Sequence, residues 1–264
     1  MKNQEKAWLL KEKYQGTESE AFHADCARLE AGVPLAFIIG SIPFLDCTIY
    51  LDSNPLIPRP ETEYWVEKAI TAIRVHSSRR DLESTTEGGL ASSLHILDLC
   101  AGSGAIGVAV AKTVPSARVT FAELDPDHLP TIKKNLTQNT IIYDSEKYPL
   151  IVSDLFQNIS PVEKFNFILT NPPYIDLLAN TVDANVVEHE PHLALFGGVS
   201  GMELISKIIS QAPHHLDPLG QLWIEHEPAQ VEAIAVQAIA NGFTIITHPD
   251  QYGVPRFSVL TMAQ

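Results

Sequence analysis

From residue 94 onward, short apolar runs alternate with segments in which apolar residues recur every three to four positions. The short runs are typical of buried strands, and the periodic segments are typical of helices that cover a sheet. The predicted strands are, in chain order, LHILDL, ARVTFAEL, PLIVSDL, FNFILT, QLWIEHE, FTIITH and RFSVLTM. This alternation predicts an α/β fold: a doubly wound, mostly parallel sheet of seven strands with helices on both faces.

The chain before residue 94 follows another pattern. Residues 18–31 predict a helix, because their large apolar side chains fall on one face. Runs of β-forming residues around Ile38 and Ile49 predict a hairpin, and a further helix is predicted to begin near Pro60. Residues 77–93 contain few large apolar residues, which predicts a flexible surface connection.

The composition limits the partners of the chain. A net charge of −14 over 264 residues opposes binding to duplex nucleic acid, so no stable nucleic acid complex is expected. No run approaches the ~20 apolar residues of a membrane helix, and the N-terminus lacks a secretory signal. The three cysteines form no Cys-x-x-Cys pair, which favours free thiols. We expect a monomer in the reducing cytoplasm, away from membranes.

A glycine-rich loop follows the first predicted strand of the sheet. Gly102 and Gly104 allow a tight turn in which the backbone approaches a ligand, and Glu123 ends the next strand 21 positions after Gly102. A carboxylate at that place can accept hydrogen bonds from both hydroxyls of a ribose. The order of strand, glycine loop, helix, strand and acid therefore predicts a nucleoside ligand.

NAD and S-adenosylmethionine both contain that ribose. Asp98 ends the strand before the loop, where a carboxylate would repel a pyrophosphate and attract the ammonium group of a methionine moiety. Asp98 favours S-adenosylmethionine for this reason, although an acid at this position also suits a helix or turn cap.

The segment Asn171-Pro-Pro-Tyr174 directly follows the strand FNFILT. Consecutive prolines fix the backbone and remove two N–H donors, so the loop is rigid and offers acceptors. Asn171 adds a side-chain oxygen and Tyr174 an aromatic ring. Two acceptors and a ring suit a planar NH2 group, whose hydrogen bonds strengthen as positive charge develops on the nitrogen during methylation.

His189 and His192 flank Glu190 and Pro191, a spacing that does not match the His-Glu-x-x-His metal motif. The proline also opposes a helix there. We expect no metal site.

These segments resemble the release factor glutamine N5-methyltransferases, the HemK/PrmC family. The resemblance covers nearly all of residues 21–264 and rests on GVPLAFIIG, LIPRPETE, DLCAGSGAIG, SDLF, NPPYI, EPHLALFGG followed by SGME, IEHE and YGVPRF. It implies a class I S-adenosylmethionine methyltransferase fold. It also implies methyl transfer to the glutamine amide nitrogen in the Gly-Gly-Gln loop of a peptide chain release factor.

The resemblance also implies residue roles. The methionine half of the cofactor would lie against Cys100, Ala101, Gly102, Ser103 and Gly104, beside the Asp98 carboxylate already assigned to its ammonium group. Glu123 would hold the ribose, and Asp154 and Leu155 would lie beside the adenine. The catalytic loop would be Asn171, Pro172, Pro173 and Tyr174, with Asn171 also beside the cofactor. Glu190 and Pro191 would support the pocket wall.

The sequence departs from the family pattern in three places. Leu155 stands where a tryptophan is frequent, and Phe37 where tyrosine or histidine is usual. Only about thirty residues precede the GVPLAFIIG stretch, where family members carry a domain of several helices. We therefore divide the chain into a reduced helical segment with a hairpin for partner recognition, residues 1–52, and a methyltransferase domain, residues 53–264.

Three alternatives remain at this point. Asn-Pro-Pro-Tyr also occurs in adenine-N6 methyltransferases, where the same clamp would hold the exocyclic amine of a flipped base. The charge of −14 opposes this alternative. A non-catalytic cofactor-binding scaffold would have no need for the clamp, and a dinucleotide-dependent oxidoreductase is disfavoured by Asp98.

Overall fold

A computed structural model describes residues 2–87, 94–176 and 188–263, beginning with three helices that share a small core. The helices are α1 (Lys2–Glu12), α2 (Glu20–Glu30) and α3 (Leu35–Ile39). Ser19 caps α2, because its hydroxyl accepts from the Phe22 N–H at 3.2 Å. The buried residues of this core are Leu9, Phe22, Cys26, Leu29 and Ile38. The helix predicted over residues 18–31 is confirmed.

The hairpin consists of β1 (Ser41–Phe44) and β2 (Cys47–Tyr50). The prediction of a strand around Ile38 is wrong, because Ile38 lies in α3. Gly40 ends that helix with a φ of 89°, a left-handed conformation that glycine adopts without strain. Burial of Ile38 against α1 and α2 outweighs the β preference of its neighbours.

The helix α4 (Pro60–Glu87) is longer than the sequence pattern predicted. Residues 77–87 continue the helix, so the predicted surface connection is wrong over that part, and residues 88–93 lie outside the described residues. The physical reason is local: the first strong helix breakers after Pro60 are Gly88 and Gly89. Polar composition alone does not end a helix.

The seven-stranded sheet follows. Its strands are β3 (His95–Leu99), β4 (Arg118–Glu123), β5 (Leu150–Val152), β6 (Phe165–Thr170), β7 (Leu216–Glu225), β8 (Phe243–Pro249) and β9 (Pro255–Met262). Their order across the sheet is β5-β4-β3-β6-β7-β9-β8. The first five strands in this order are parallel, and β9 runs antiparallel to both β7 and β8. This confirms the predicted doubly wound, mostly parallel sheet.

Helices cover both faces of the sheet. They are α5 (Ala105–Thr113), α6 (Leu129–Gln138), the one-turn α7 (His192–Leu195), α8 (Glu203–Gln211) and α9 (Val231–Ala240). Successive residues of a strand point to opposite faces, so one core cluster contains Ile96, Phe167 and Trp223. The second core cluster contains the neighbouring strand residues Leu97 and Ile168.

The hairpin shares the first of these clusters. Phe44, Cys47 and Ile49 are buried in the same cluster as Trp65 of α4 and Ile106 of α5. Helices α1 to α3 bury a cluster of their own. The hairpin therefore packs with the sheet. The three helices have a core of their own, and Ala36 and Phe37 of α3 also pack against the first cluster.

Candidate active site at the carboxyl edge of the sheet

A cavity of about 270 Å³ opens at the carboxyl ends of β3, β4, β5 and β6. The strand order reverses between β3 and β6, which is where doubly wound sheets bind ligands. Eight of the predicted site residues line it: Cys100, Gly102, Glu123, Asp154, Leu155, Asn171, Pro173 and Pro191. The described residues that were predicted but do not line it are Asp98, Ala101, Ser103, Gly104, Pro172, Tyr174 and Glu190.

The glycine loop turns sharply between β3 and α5. Gly102 and Gly104 have φ values of 53° and 76°. A Cβ on Gly104 would lie 3.0 Å from the side chain of Ile132, and one on Gly107 would lie 2.3 Å from the Phe121 ring. Gly107 thus lets α5 approach the sheet and Gly104 lets the start of α5 approach α6, while Gly102 stays at the cavity wall.

Glu123 connects two of the loops at the cavity. Its Oε2 atom accepts from the Gly102 N–H at 2.7 Å, and its Oε1 atom accepts from the Asp125 N–H at 2.9 Å. Each carboxylate oxygen keeps further acceptor capacity. A fixed acceptor pair at the cavity wall suits the two hydroxyls of a ribose.

Asp98 lies beneath the loop and away from the cavity surface. It is fully buried, and its Oδ2 atom accepts from the Gly107 N–H at 2.8 Å. Its Oδ1 atom has no hydrogen-bond partner among the described residues. Burial, together with the charge of Glu123, raises the pKa of Asp98 well above its usual value. The contact of Asp98 with the Gly107 N–H in the first turn of α5 is the one expected of a helix cap, the alternative given for this residue.

Two non-glycine residues of the cavity wall have left-handed backbones. Cys100 has a φ of 60° and Leu155 a φ of 51°. Such conformations are uncommon for residues with a Cβ, and they concentrate at functional sites. Burial raises the pKa of the Cys100 thiol, and the charge of Glu123 raises it further, so the thiol stays protonated.

The Asn-Pro-Pro-Tyr loop leaves β6 with both of its polar ends held. Asn171 lines the cavity, and its Nδ2 atom donates to Thr62 Oγ1 at 3.2 Å. Tyr174 turns its hydroxyl away from the cavity and donates to Glu225 Oε1 at 2.9 Å. Its side chain packs against the second core cluster. The structure therefore places Asn171, rather than Tyr174, in the cavity wall.

Glu225, at the end of β7, was assigned no role in the sequence analysis. It is buried, and Thr62 Oγ1 and Trp65 Nε1 donate to its Oε2 atom at 2.7 and 2.6 Å. Burial raises its pKa, although three donated hydrogen bonds oppose that shift. Its one sequence signal is its place at the carboxyl end of a strand, a signal that many acids share.

The outer wall of the cavity comes from the segment EPHLALFGG. Pro191, His192, Leu193 and Ala194 line the cavity. Glu190, just before them, is buried and pairs with Arg59 at 2.5 Å between Oε1 and Nη2. Its Oε2 atom accepts from the Ile57 N–H at 3.1 Å. The LIPRPETE and EPHLALFGG segments therefore form one unit.

Residues from Phe196 onward contact the end of the catalytic loop, at Tyr174 and Ile175. Ile175 forms a parallel bridge with Phe196. Gln230 Nε2 donates to the carbonyls of Tyr174 and Ser200, at 2.8 and 3.1 Å. Gly201 lies so close that a Cβ there would be 1.8 Å from the Tyr174 oxygen. This contact requires a glycine.

His128 is a cavity residue that sequence reasoning missed. It directly precedes α6, is 5% exposed, and has its Nδ1 atom 2.9 Å from Ser53 Oγ. Ser53 also accepts from Thr131 Oγ1 at 2.8 Å. No motif around His128 indicates this position.

The cavity wall is acidic. Its charged residues include the three carboxylates Glu123, Asp125 and Asp154, and no lysine or arginine of the described chain lines it. Among residues 2–87, 94–176 and 188–263, no cluster of metal ligands is found, and no helix is long and apolar enough to span a membrane. The acidic wall of the cavity favours a cationic ligand.

The sheet order and the site together define a class I methyltransferase. The family described as Methyltransferase small domain matches residues 82–194. The structure is similar to the T. thermophilus 16S rRNA N2 G1207 methyltransferase, with a TM-score of 0.52 at 17% identity, over 85% of this chain and 50% of that one. That likeness concerns the fold alone.

The sequence comparisons define the family. The chain is 32% identical to the release factor glutamine methyltransferase of Leptospira interrogans, over 93% of this chain and 80% of that protein. It is 34% identical to that of Rhodopirellula baltica, over 84% of this chain and 71% of that protein. The chain belongs to the release factor glutamine methyltransferase family, as the resemblance of its motifs predicted.

Proposed function

We propose that this chain transfers a methyl group from S-adenosylmethionine to the side-chain amide nitrogen of a glutamine in the Gly-Gly-Gln loop of a peptide chain release factor. The family supports the reaction and the substrate. The observation that carries the proposal in the structure is the Asn171 amide. Asn171 lines the cavity and its nitrogen donates to Thr62, so its oxygen would be the acceptor for the substrate.

The cavity fits S-adenosylmethionine in three respects. Glu123 offers a fixed carboxylate to a ribose. The acidic wall suits a ligand with sulfonium and ammonium charges and would repel a pyrophosphate. Leu155 and Leu193 supply apolar surface for an adenine ring. Asp98 would act through the glycine loop that it supports, since it does not line the cavity.

When bound, S-adenosylmethionine supplies an electrophilic methyl group on a positively charged sulfur. The chain must then hold a poor nucleophile in line with it, because an amide nitrogen shares its lone pair with the carbonyl. The Asn171 oxygen would accept one hydrogen of the amide NH2, and a backbone carbonyl of the proline pair would accept the other. Both bonds strengthen as positive charge develops on the nitrogen, and alignment at about 3 Å lowers the barrier further.

We assign recognition of the protein partner to residues 1–52, including α1 to α3. These helices carry their own core and leave Trp8 half exposed on α1. An exposed tryptophan suits a protein contact. We also propose that the chain works as a monomer in the cytoplasm, where ribosomes use release factors, and that its charge of −14 keeps it off nucleic acid.

The test is a methyl-transfer assay with labelled S-adenosylmethionine. The acceptors are an intact release factor, its Gln→Ala variant in the Gly-Gly-Gln loop, and a single-stranded oligonucleotide that contains adenine. We expect label on the intact factor alone, and mass spectrometry should place the methyl on the loop glutamine. Label on the oligonucleotide and none on the factor would make the chain an adenine methyltransferase. Equal label on both forms of the factor would place the reaction at another residue.

A further inference from the structure

We propose that Glu225 and Thr62 are positioning residues that fix which end of the Asn171 amide faces the substrate. A hydrogen-bond chain runs from Asn171 Nδ2 to Thr62 Oγ1 and on to Glu225 Oε2. This inference rests on the proposed function, because it concerns how the same loop holds a substrate NH2 group. Neither residue lies in the cavity wall.

The direction of each of these hydrogen bonds follows from the donors and acceptors present. Trp65 Nε1 can only donate, so Glu225 Oε2 is an acceptor where the two meet at 2.6 Å. Thr62 has one hydroxyl hydrogen, and it points to the same carboxylate oxygen at 2.7 Å. The Thr62 oxygen is then left as an acceptor. The group of Asn171 that faces it must be the NH2 end.

This orientation decides whether Asn171 can hold the substrate. With its NH2 end on Thr62, the amide presents Oδ1, which accepts a hydrogen from a substrate NH2 group. A flipped amide would present its own NH2 group to the substrate NH2 group, so two donors would meet and the hydrogen bond would be lost. The asparagine side chain alone does not distinguish these two rotamers. The buried Glu225 carboxylate, which accepts the hydroxyl hydrogen of Thr62, does distinguish them.

The same carboxylate also holds the other end of the loop. Tyr174 donates from its hydroxyl to Glu225 Oε1 at 2.9 Å. One buried acid therefore fixes both polar ends of Asn-Pro-Pro-Tyr, through Thr62 at the asparagine and directly at the tyrosine. Glu225 is 1% exposed and Thr62 is 2% exposed, so water does not compete for these hydrogen bonds.

The experiment compares Thr62→Val with Thr62→Ser. Valine keeps the shape of threonine and removes the hydroxyl, whereas serine keeps the hydroxyl. We expect Thr62→Val to lower kcat by about tenfold, a factor that corresponds to about 1.4 kcal/mol in the barrier, and Thr62→Ser to retain most of the activity. Cofactor affinity, measured by calorimetry, should stay within about twofold of the wild type in both variants.

A double-mutant cycle separates positioning from a general loss of structure. If Thr62 acts through Asn171, Thr62→Val should cause no further loss of kcat in an Asn171→Ala background. A loss of the same factor in both backgrounds would overturn the inference. So would a Thr62→Val enzyme with the kcat of Thr62→Ser, or one whose cofactor affinity falls as much as its kcat.

The wild-type arm keeps the two proposals distinguishable. If the wild type methylates the release factor and Thr62→Val does so equally well, the inference fails and the proposed function stands. If the wild type methylates only the adenine oligonucleotide, the proposed function fails. The same variants are then compared on that amine, which needs the same acceptor, and loss of the contrast between valine and serine would still overturn the inference.

Discussion

Arg59 and Glu190, 131 positions apart, form an ion pair of 2.5 Å between Nη2 and Oε1. The Glu190 side chain is 1% exposed, whereas that of Arg59 is 35% exposed. The carboxylate is thus buried and depends on one cation and one backbone N–H, that of Ile57. This ion pair therefore links the residue before α4 to the segment that forms the outer wall of the cavity.

Replacing Arg59 with methionine should destabilise the fold by about 1–3 kcal/mol, because it leaves a buried carboxylate without its cation. Urea unfolding measures this loss. In the Glu190→Gln background the same replacement should cost much less, since no charge remains to be compensated. Equal costs in the two backgrounds would show that Arg59 acts through packing alone.

Glu123→Ala should weaken S-adenosylmethionine binding by about 1–3 kcal/mol, the loss typical of charge-assisted hydrogen bonds. The variant also frees the Gly102 and Asp125 N–H groups that the carboxylate holds. Calorimetry gives the affinity. Asp127→Ala, an exposed acid in the same loop outside the cavity wall, is the matched control and should bind the cofactor normally. Tight NADH binding without S-adenosylmethionine binding would contradict the ligand assignment.

The sheet could be predicted from the sequence because each strand carries its own local signal. Seven apolar runs became seven strands, and the loops after LHILDL, ARVTFAEL, PLIVSDL and FNFILT meet at one cavity. The rule that parallel strands present their carboxyl ends at one edge was sufficient for this. Local signals failed at Ile38, where packing among three helices decided the conformation.

The partners of the site residues could not be predicted in the same way. Thr62 and Glu225 are 163 positions apart, and nothing in the sequence pairs them. The sequence indicated Tyr174 as a ring for the substrate, but its hydroxyl has a buried acceptor in Glu225, and this contact turns the side chain from the cavity. Long-range hydrogen bonds between single polar residues leave no periodic pattern along a chain.

Gly201→Ala should disturb the catalytic loop. Its φ of 66° already disfavours a Cβ, and the added carbon would lie 1.8 Å from the Tyr174 oxygen. Relieving that clash should add about 1–3 kcal/mol of destabilisation to the cost of the backbone conformation itself. Gly253→Ala is the control, because Gly253 has a φ of 82° and no atom within 4 Å of its added Cβ. A Gly201→Ala enzyme as stable and as active as Gly253→Ala would contradict the contact.

The stability of the fold should fall on acidification through His95. Burial, assisted by the charge of Arg118, lowers the pKa of His95 to about 4 from an ordinary value of 6.5. Between these values the unfolded chain binds a proton that the folded chain does not, so unfolding becomes easier as the pH falls below 6.5. His95 should account for about 1–2 kcal/mol of stability lost between pH 7 and pH 5. In urea unfolding, the free energy of unfolding of His95→Gln should fall less between pH 7 and pH 5 than that of the wild type. Equal falls in the two proteins would show that another group binds the proton.

Asn171→Ala should lower kcat by about 10²–10³-fold, the effect of removing one preorganised polar group from a methyl-transfer site. The residue lines the cavity, yet its one described hydrogen bond goes to Thr62, so its oxygen remains for the substrate. Cofactor affinity should change far less than kcat, because the lost contact is to the substrate amine and strengthens only as charge develops on it. Single-turnover measurements with release factor, beside calorimetry of cofactor binding, separate the two effects. Near-normal turnover would remove Asn171 from the mechanism, and equal losses in turnover and cofactor affinity would make it a cofactor ligand instead.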